Sequence, residues 1–457
     1  MVLCCPDHSP CSVRTAPAHH TLIGYHHIRK DLAVQGLPDQ STVNDTISVA
    51  DAFVAARSLS AELAAPLSEE DCCVQSQACC SPVKWHLGHT TWFFERFILT
   101  DVLKLDPYDD RFEFLFNSYY NAIGSRQPRA QRGLLTRPGL GEIMAYRSVV
   151  DEHIERALRR GDLEQEHVGL VQLGLDHERQ HQELLLTDVK HLFWCSPFNV
   201  EYLAEPLTAA AESDANWCRF DGGLHTHGVD FAGPGGGFDN EGPEHRVFLE
   251  PFELTDRLVT NGEFLGFVAD GGYSTPGHWL DLAWTHVAER DIAHPLYWRQ
   301  TESGWQEFTL RGWTDLDPAA PLVHVSMFEA DAFAKWSGAR LPTEFELEAA
   351  YDDADGRGAL LEDRVFHPKP ASPDRTGIAQ LIGDAWEWTS SAYGPYPGYA
   401  PPGGAIGEYN GKFMCNQYVL RGASCVTPTA HVRKTYRNFY QPDVRWIFAG
   451  TRLARSV

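Results

Sequence analysis

The sequence predicts an α+β protein: an N-terminal four-helix bundle over residues 42–197, then a loop-rich domain of short strands and few helices over 198–457. Stretches with helical apolar spacing and few breakers run to about residue 193. Beyond Pro197 the chain turns dense in Gly, Pro, Trp and Tyr, and its apolar runs become short. A chain of 457 residues with 43% apolar content is also long enough for two domains with their own cores.

Residues 1–41 carry scattered Pro, His and Ser without a sustained apolar period, the composition of a disordered leader. A first helix is expected from Val43 to Ala65, rich in Ala, Leu and Val and ended by Pro66. The second, Val83 to Leu103, starts just after Pro82 and puts Trp85, His89, Trp92 and Arg96 on one stripe. A third runs from about Gly141 to Leu158 and a fourth from about Glu164 to Phe193. Helices of this length with one long connection form a bundle, and bundle cores commonly hold metals between facing helices. In the second domain only Met327 to Ser337 and Glu344 to Tyr351 read as helices, and no repeat of fixed period is visible.

A net charge of −24 repels phosphate backbones and anionic membranes, which leaves small molecules as the expected partners, with no nucleic acid and no membrane. No run of about 18 apolar residues is present and the N-terminus lacks the basic-then-apolar order of a secretion signal, so a cytoplasmic protein is expected. The 11 cysteines are odd in number and follow no secreted-scaffold spacing, the pattern of reduced thiols. The doublets Cys72-Cys73 and Cys79-Cys80 lack the turn by which Cys-x2-Cys aims two sulfurs at one ion.

The chemistry concentrates in Leu175-Asp176-His177-Glu178-Arg179-Gln180-His181-Gln182-Glu183 and, upstream, in Trp85-His86-Leu87-Gly88-His89. His177 and His181, at i and i+4, share one helical face, so both rings can reach one ion held against another helix that carries His89. Three protein ligands leave open positions, as in a catalytic site, and neutral imidazole admits Fe, Zn, Cu or Ni. His86, three residues before His89 on nearly the same face, competes with it, and the stripe does not separate them. Taken singly, each His reads more simply as a packed or surface residue.

Glu178 gives His-Glu-Arg-Gln-His the outline of a zinc-protease helix, in which the Glu is general base, so a zinc hydrolase is a second reading. Against it, no Gly-containing extension with a third His follows. Tyr119 and Tyr120 are candidates to give a proton or an electron to an oxygen species, or else pack between domains. Among Arg126, Arg129 and Arg132, Arg129 is the candidate to hold a substrate carboxylate.

Ser81 to Glu95, with His177-Glu178-Arg179-Gln180-His181, resembles the DinB-like helical domain of the ergothioneine sulfoxide synthases. The second half resembles the formylglycine-generating-enzyme domain, a C-type-lectin-like fold, through His324 to Ala330, Arg340-Leu341-Pro342-Thr343-Glu344, Gly383 to Thr389 and Gly450 to Ala454. The resemblance implies a nonhaem Fe(II) enzyme that uses O2 to join a thiol to C2 of the hercynine imidazole as a sulfoxide. It makes His89, not His86, the third ligand beside His177 and His181, and sets Gln180 near the substrate imidazole. Tyr119 and Tyr120 resemble the tyrosines of the cysteine-using branch.

The branch that uses gamma-glutamylcysteine carries Asn-Trp-Asp with an Arg four residues after the Asp. Here Asn438-Phe439-Tyr440 precedes Val444, with Arg445 one place later. Asn438 stays a candidate hercynine contact, with Phe439 and Arg445 beside it, while loss of the acid favours free cysteine as donor. A selenoneine synthase, taking a selenosugar, shares the same plan and is the alternative, and a non-catalytic binding module is the other. Ovothiol-type relatives usually append a methyltransferase domain, for which no room is expected after Val457. A formylglycine generator needs two neighbouring cysteines, but Cys425 has only Cys415, in a different segment.

Overall fold

The computed structural model describes residues 48–207, 213–232 and 236–457. The expected leader at 1–41 and the start of the first expected helix lie outside them. The first half holds α1 (Val49–Ala64), α2 (Val83–Phe94), the short α3 (Arg111–Phe116), α4 (Leu140–Arg160) and α5 (Gln165–Trp194). Ser48 caps α1 by accepting the Asp51 N–H, and Gly161, in the left-handed region at φ 72°, ends α4. The long second helix of the sequence reading changes character after Phe94: Glu95–Thr100 continues it as a π-helical segment.

The helices α1 and α2 each pack on both α4 and α5. Their shared interior contains Phe53, Trp92, Phe93, Ile143, Val150, Val171 and Leu185, all essentially inaccessible. The same apolar cluster continues without a break to Phe264, Phe333, Trp388 and Phe448 in the second half. The expectation of two separate cores therefore gives way to one joined along α5, whose outward side docks on the second half instead of facing water.

That half is built from short strands. Trp386–Ala392 pairs antiparallel with Tyr418–Gly422, which pairs antiparallel with Asn438–Tyr440, while Ala449–Gly450 joins the first strand in parallel. Trp217–Phe220, Phe252–Thr255 and Ala454–Ser456 form a three-stranded sheet. Arg452 ties the motifs together, donating to both oxygens of Glu387 at 2.6 and 2.9 Å in full burial. The two expected helices are found at Met327–Trp336 and Glu344–Ala350. Asn261–Ala269 and Asp281–Glu289 are also helical, although not expected. Gly262 and Gly266 weaken the local signal of the first of these, and a capping box between Thr260 and Glu263 compensates.

Lys190 of α5 bridges the halves: its buried ammonium donates to His324 Nε2 at 2.7 Å and lies over the rings of Tyr297 and Phe448. Desolvation pulls it down from the ordinary 10.5 to about 8, against the opposing pull of Glu307. Between those two values the unfolded chain holds a proton that the folded chain does not, so stability rises with pH across that window, and the cost is fully present below pH 8. In paired urea titrations, wild type should therefore gain on Lys190→Met by up to about 3 kcal/mol as pH rises from 7.5 to 10. A constant difference across the range would contradict the burial of this charge.

Candidate metal centre

The three imidazoles predicted on two helices come together: His89, His177 and His181 each offer a ring nitrogen within 4.8 Å of the others. On α2, the rings of Trp85 and Trp92 stack along His89 at 4.6 and 5.9 Å. Its Nδ1 is 2.6 Å from the Phe116 carbonyl oxygen, which can only accept, so Nδ1 carries the proton and Nε2 presents a lone pair. That lone pair faces His177 Nε2 at 3.1 Å. Gly88 makes the arrangement possible, since a Cβ there would lie 2.5 Å from the Phe116 ring and push away the segment whose carbonyl orients His89.

Burial holds all three rings neutral, with His89 and His181 well below the usual histidine range and His177 at about 3. Neutral imidazoles with convergent ring nitrogens in a buried setting are the donor set a borderline transition metal takes. The residues present therefore fit a metal ion.

His86, which the helical stripe did not distinguish from His89, stands outside this group. Its Nδ1 is 2.8 Å from His181 Nδ1 and its Nε2 is 3.0 Å from Asp188 Oδ2. Glu178 faces the bundle interior, not the cleft. It accepts from Arg57 at 2.8 Å, Arg147 at 2.6 Å and Ser60 at 2.5 Å, with all four residues buried. Burial alone would raise its carboxyl, but Arg147 and Arg57 hold it at about 2. A carboxylate so engaged is not placed to act as the general base of a zinc hydrolase.

His177 and His181 border a cleft between the halves, with His89 buried behind them. His177, Gln180, His181 and Glu183 of α5 form one wall; Phe238, Trp386, Tyr409, Tyr436, Asn438 and Phe439 form the other. Gln180 spans the gap, donating to Tyr436 Oη at 2.8 Å and accepting from Tyr409 Oη. Phe439 stacks on Tyr393 at 3.9 Å, and Asn438 Oδ1 accepts the Phe439 N–H. Tyr119 lines the cleft, whereas Tyr120 is fully buried behind it against Trp92 and Phe97. Burial pushes both phenols above their usual range. Neither ring meets an imidazole; the phenol that does is Tyr409, 5.8 Å from His177, and it also contacts Tyr119 at 6.0 Å.

The two arginines expected at the substrate are not in the cleft wall. Arg129 donates to the Cys79 carbonyl at 3.0 Å, which Pro128 and the following 3-10 turn place beside the bundle. Arg445 is taken by Glu329, at 2.8 and 2.9 Å, and by the His294 carbonyl. Sequence reasoning missed Trp386, Tyr409 and Tyr436 as cleft residues and gave no role to Glu183. Glu183 accepts from Trp386 Nε1 at 2.6 Å and from Thr427 Oγ1, and burial pushes it up to about 7. Its position two residues after His181 was the one local signal on offer.

Removing the Glu178 carboxylate strands two buried guanidinium groups. Glu178→Ala should lower unfolding free energy by about 3–5 kcal/mol, measured by urea titration of the apo-protein. A loss under 1 kcal/mol would show that water takes over the carboxylate's place.

Among the described residues no helix is long and apolar enough to cross a membrane. Residues 52–185 match the DinB superfamily, and residues 204–364 and 364–457 match the sulfatase-modifying factor enzyme 1-like domain. A hercynine oxygenase of Mycobacterium tuberculosis is 34% identical over 306 residues, covering 62% of this chain and 70% of that protein. Ergothioneine biosynthesis protein 1 of Schizosaccharomyces pombe is 26% identical over 48% of this chain and 27% of its own length. The formylglycine-generating enzyme of Streptomyces coelicolor is 29% identical over 49% of this chain and 89% of its own. A solved structure of PvdO from Pseudomonas aeruginosa covers 55% of this chain at TM-score 0.36 and 19% identity, too loose a likeness to bear weight. With the helical domain, the sulfatase-modifying-factor-like domain and the match to the mycobacterial protein in one order along the chain, this protein belongs to the hercynine oxygenase family of ergothioneine-biosynthesis proteins.

Proposed function

We propose that this chain is an Fe(II)- and O2-dependent oxygenase that joins the C2 carbon of hercynine to the sulfur of cysteine and releases a hercynyl-cysteine sulfoxide. The observation that carries the proposal is the convergence of three neutral imidazole nitrogens at the edge of an aromatic-walled cleft. Held by His89, His177 and His181, Fe(II) would supply open positions at which substrate and O2 can meet.

The chain's own residues do the rest. Phe238, Trp386, Tyr409 and Tyr436 offer π faces of the kind that attract a quaternary ammonium, the cationic end of hercynine. Asn438 and Gln180 offer amides to its polar groups. Tyr119 and Tyr409 are protonated phenols at neutral pH, as burial only raises them further, so each can donate a hydrogen bond to a developing oxyanion. Tyr120 acts from behind Tyr119, whose ring it contacts at 4.6 Å.

The donor follows from charge. Gamma-glutamylcysteine brings more carboxylates than cysteine, and each needs a cationic partner. The guanidinium in the cleft wall, Arg437, is clamped by Glu344 at 2.8 and 3.1 Å in full burial, and Arg445 is spent on Glu329. The smaller thiol suits this wall. The free cysteines among the described residues go with a reducing, cytoplasmic location.

Anaerobic protein loaded with Fe(II) and hercynine, then given O2 with cysteine, gamma-glutamylcysteine or a selenosugar separately, should yield the sulfoxide from cysteine, read by mass. His181→Ala should lose bound iron and turnover together. Turnover retained without His181 removes the metal assignment, and a selenium adduct formed in preference reassigns the donor.

A further inference from the structure

Of the three imidazoles, His181 alone has its second nitrogen held by another histidine. His89 Nδ1 is fixed by a carbonyl, and His177 Nδ1 has no hydrogen-bond partner. His181 Nδ1 meets His86 Nδ1 at 2.8 Å, and His86 passes the contact on to Asp188 at 3.0 Å through its other nitrogen. Asp188 lies seven residues after His181 on α5, two turns along the same face, and His86 precedes His89 by three on α2.

The protons in this chain can be assigned by exclusion. Asp188 Oδ2 already accepts the Ser81 backbone N–H at 2.7 Å, so it is an acceptor and His86 Nε2 must donate to it. A neutral His86 then has only a lone pair at Nδ1. His181 must fill that contact with its own Nδ1–H, which leaves Nε2 as the nitrogen with a free lone pair.

We propose that Asp188 and His86 are positioning residues that act through His181, fixing its tautomer and ring orientation so that Nε2 is presented to the metal. The proposal rests on the reading of the three imidazoles as a metal site. Ligating histidines are ordinarily oriented by a carboxylate, carbonyl or water directly, and loss of such a partner typically costs about 10–100-fold in metal affinity. Here the carboxylate acts at one remove, through a ring that also fills the space between α2 and α5.

Two near-isosteric amides separate the relay from a simple peg between helices. The amide of Gln reaches the position of the His Nε2 and that of Asn the position of Nδ1. His86→Gln therefore keeps the contact with Asp188 and withdraws the acceptor from His181; His86→Asn keeps the acceptor and gives up Asp188. Full-length protein stripped of metal is titrated with Co(II) against a competing chelator, following the Co(II) absorption bands, with the melting temperature of the apo-protein as fold control.

The relay predicts a 10–100-fold loss of Co(II) affinity and altered bands for His86→Gln, and a clearly smaller loss for His86→Asn. Wild-type affinity and bands in both variants would reduce His86 to a packing residue and overturn the proposal. Equal losses in both would overturn it too, because the acceptor at Nδ1 would then not be what matters. Should either variant fail to fold, Asp188→Asn supplies the same reading: weaker binding supports the relay, and unchanged binding overturns it. Failure of wild type to bind Co(II) removes the metal site itself and the relay with it, while failure of the hercynine reaction alone leaves this measurement untouched.

Discussion

The approach of His89 Nε2 to His177 Nε2, 3.1 Å apart in a dry interior, is the contact on which the helical half depends. With the His89 proton on Nδ1, this contact is completed either by a proton on His177 Nε2 or by a cation held between the two nitrogens. The surroundings hold them there: two tryptophans along His89, a carbonyl on its far nitrogen, and the Phe93 ring 4.9 Å from His177. Because burial keeps the rings neutral, crowding them costs no charge repulsion. The bundle thus brings two imidazole nitrogens to a distance at which one proton or one cation can be shared.

One helix distributes these demands. Along α5, His177 and His181 turn toward α2, with Asp188 two turns further on reaching back to the same helix. Glu178 and Gln182 turn toward α1, where Glu178 binds Arg57 and Gln182 donates to the Ala56 carbonyl. Gln180, Glu183 and Lys190 turn toward the second half and meet Tyr436, Trp386 and His324. A helix with partners on every side has no solvent face, which is why the two halves share one apolar cluster. The same helix thus carries two of the imidazoles and, through Gln180, Glu183 and Lys190, the contacts on which the second half docks.

This division explains what the sequence reveals. Helical spacing over the stretches that become α2, α4 and α5 is a local property, so those elements and the i, i+4 histidine pair are legible. Choosing His89 over His86 was not a matter of spacing, since both lie on one stripe; the Phe116 carbonyl and Asp188 decide it, and both come from other segments. Trp386, Tyr409 and Tyr436 reach the cleft from far beyond α5 in the chain, on loops and a strand start with no period to read. Arg445 shows the opposite failure: its spacing from Asn438 pointed to substrate, but Glu329, brought in by the helix Met327–Trp336, pairs with it first.

The two walls of the cleft are built from different kinds of element. The three imidazoles of the candidate metal centre stand on helices braced by buried ion pairs and stacked indoles. The opposite wall carries Phe238 and Tyr409 beside short turns and Asn438 and Phe439 on an edge strand, and Phe238, Tyr409 and Phe439 are all buried there. Tyr436 and Tyr409, hydrogen-bonded to the two ends of the Gln180 amide, tie this wall to α5 and so set its position against the imidazoles.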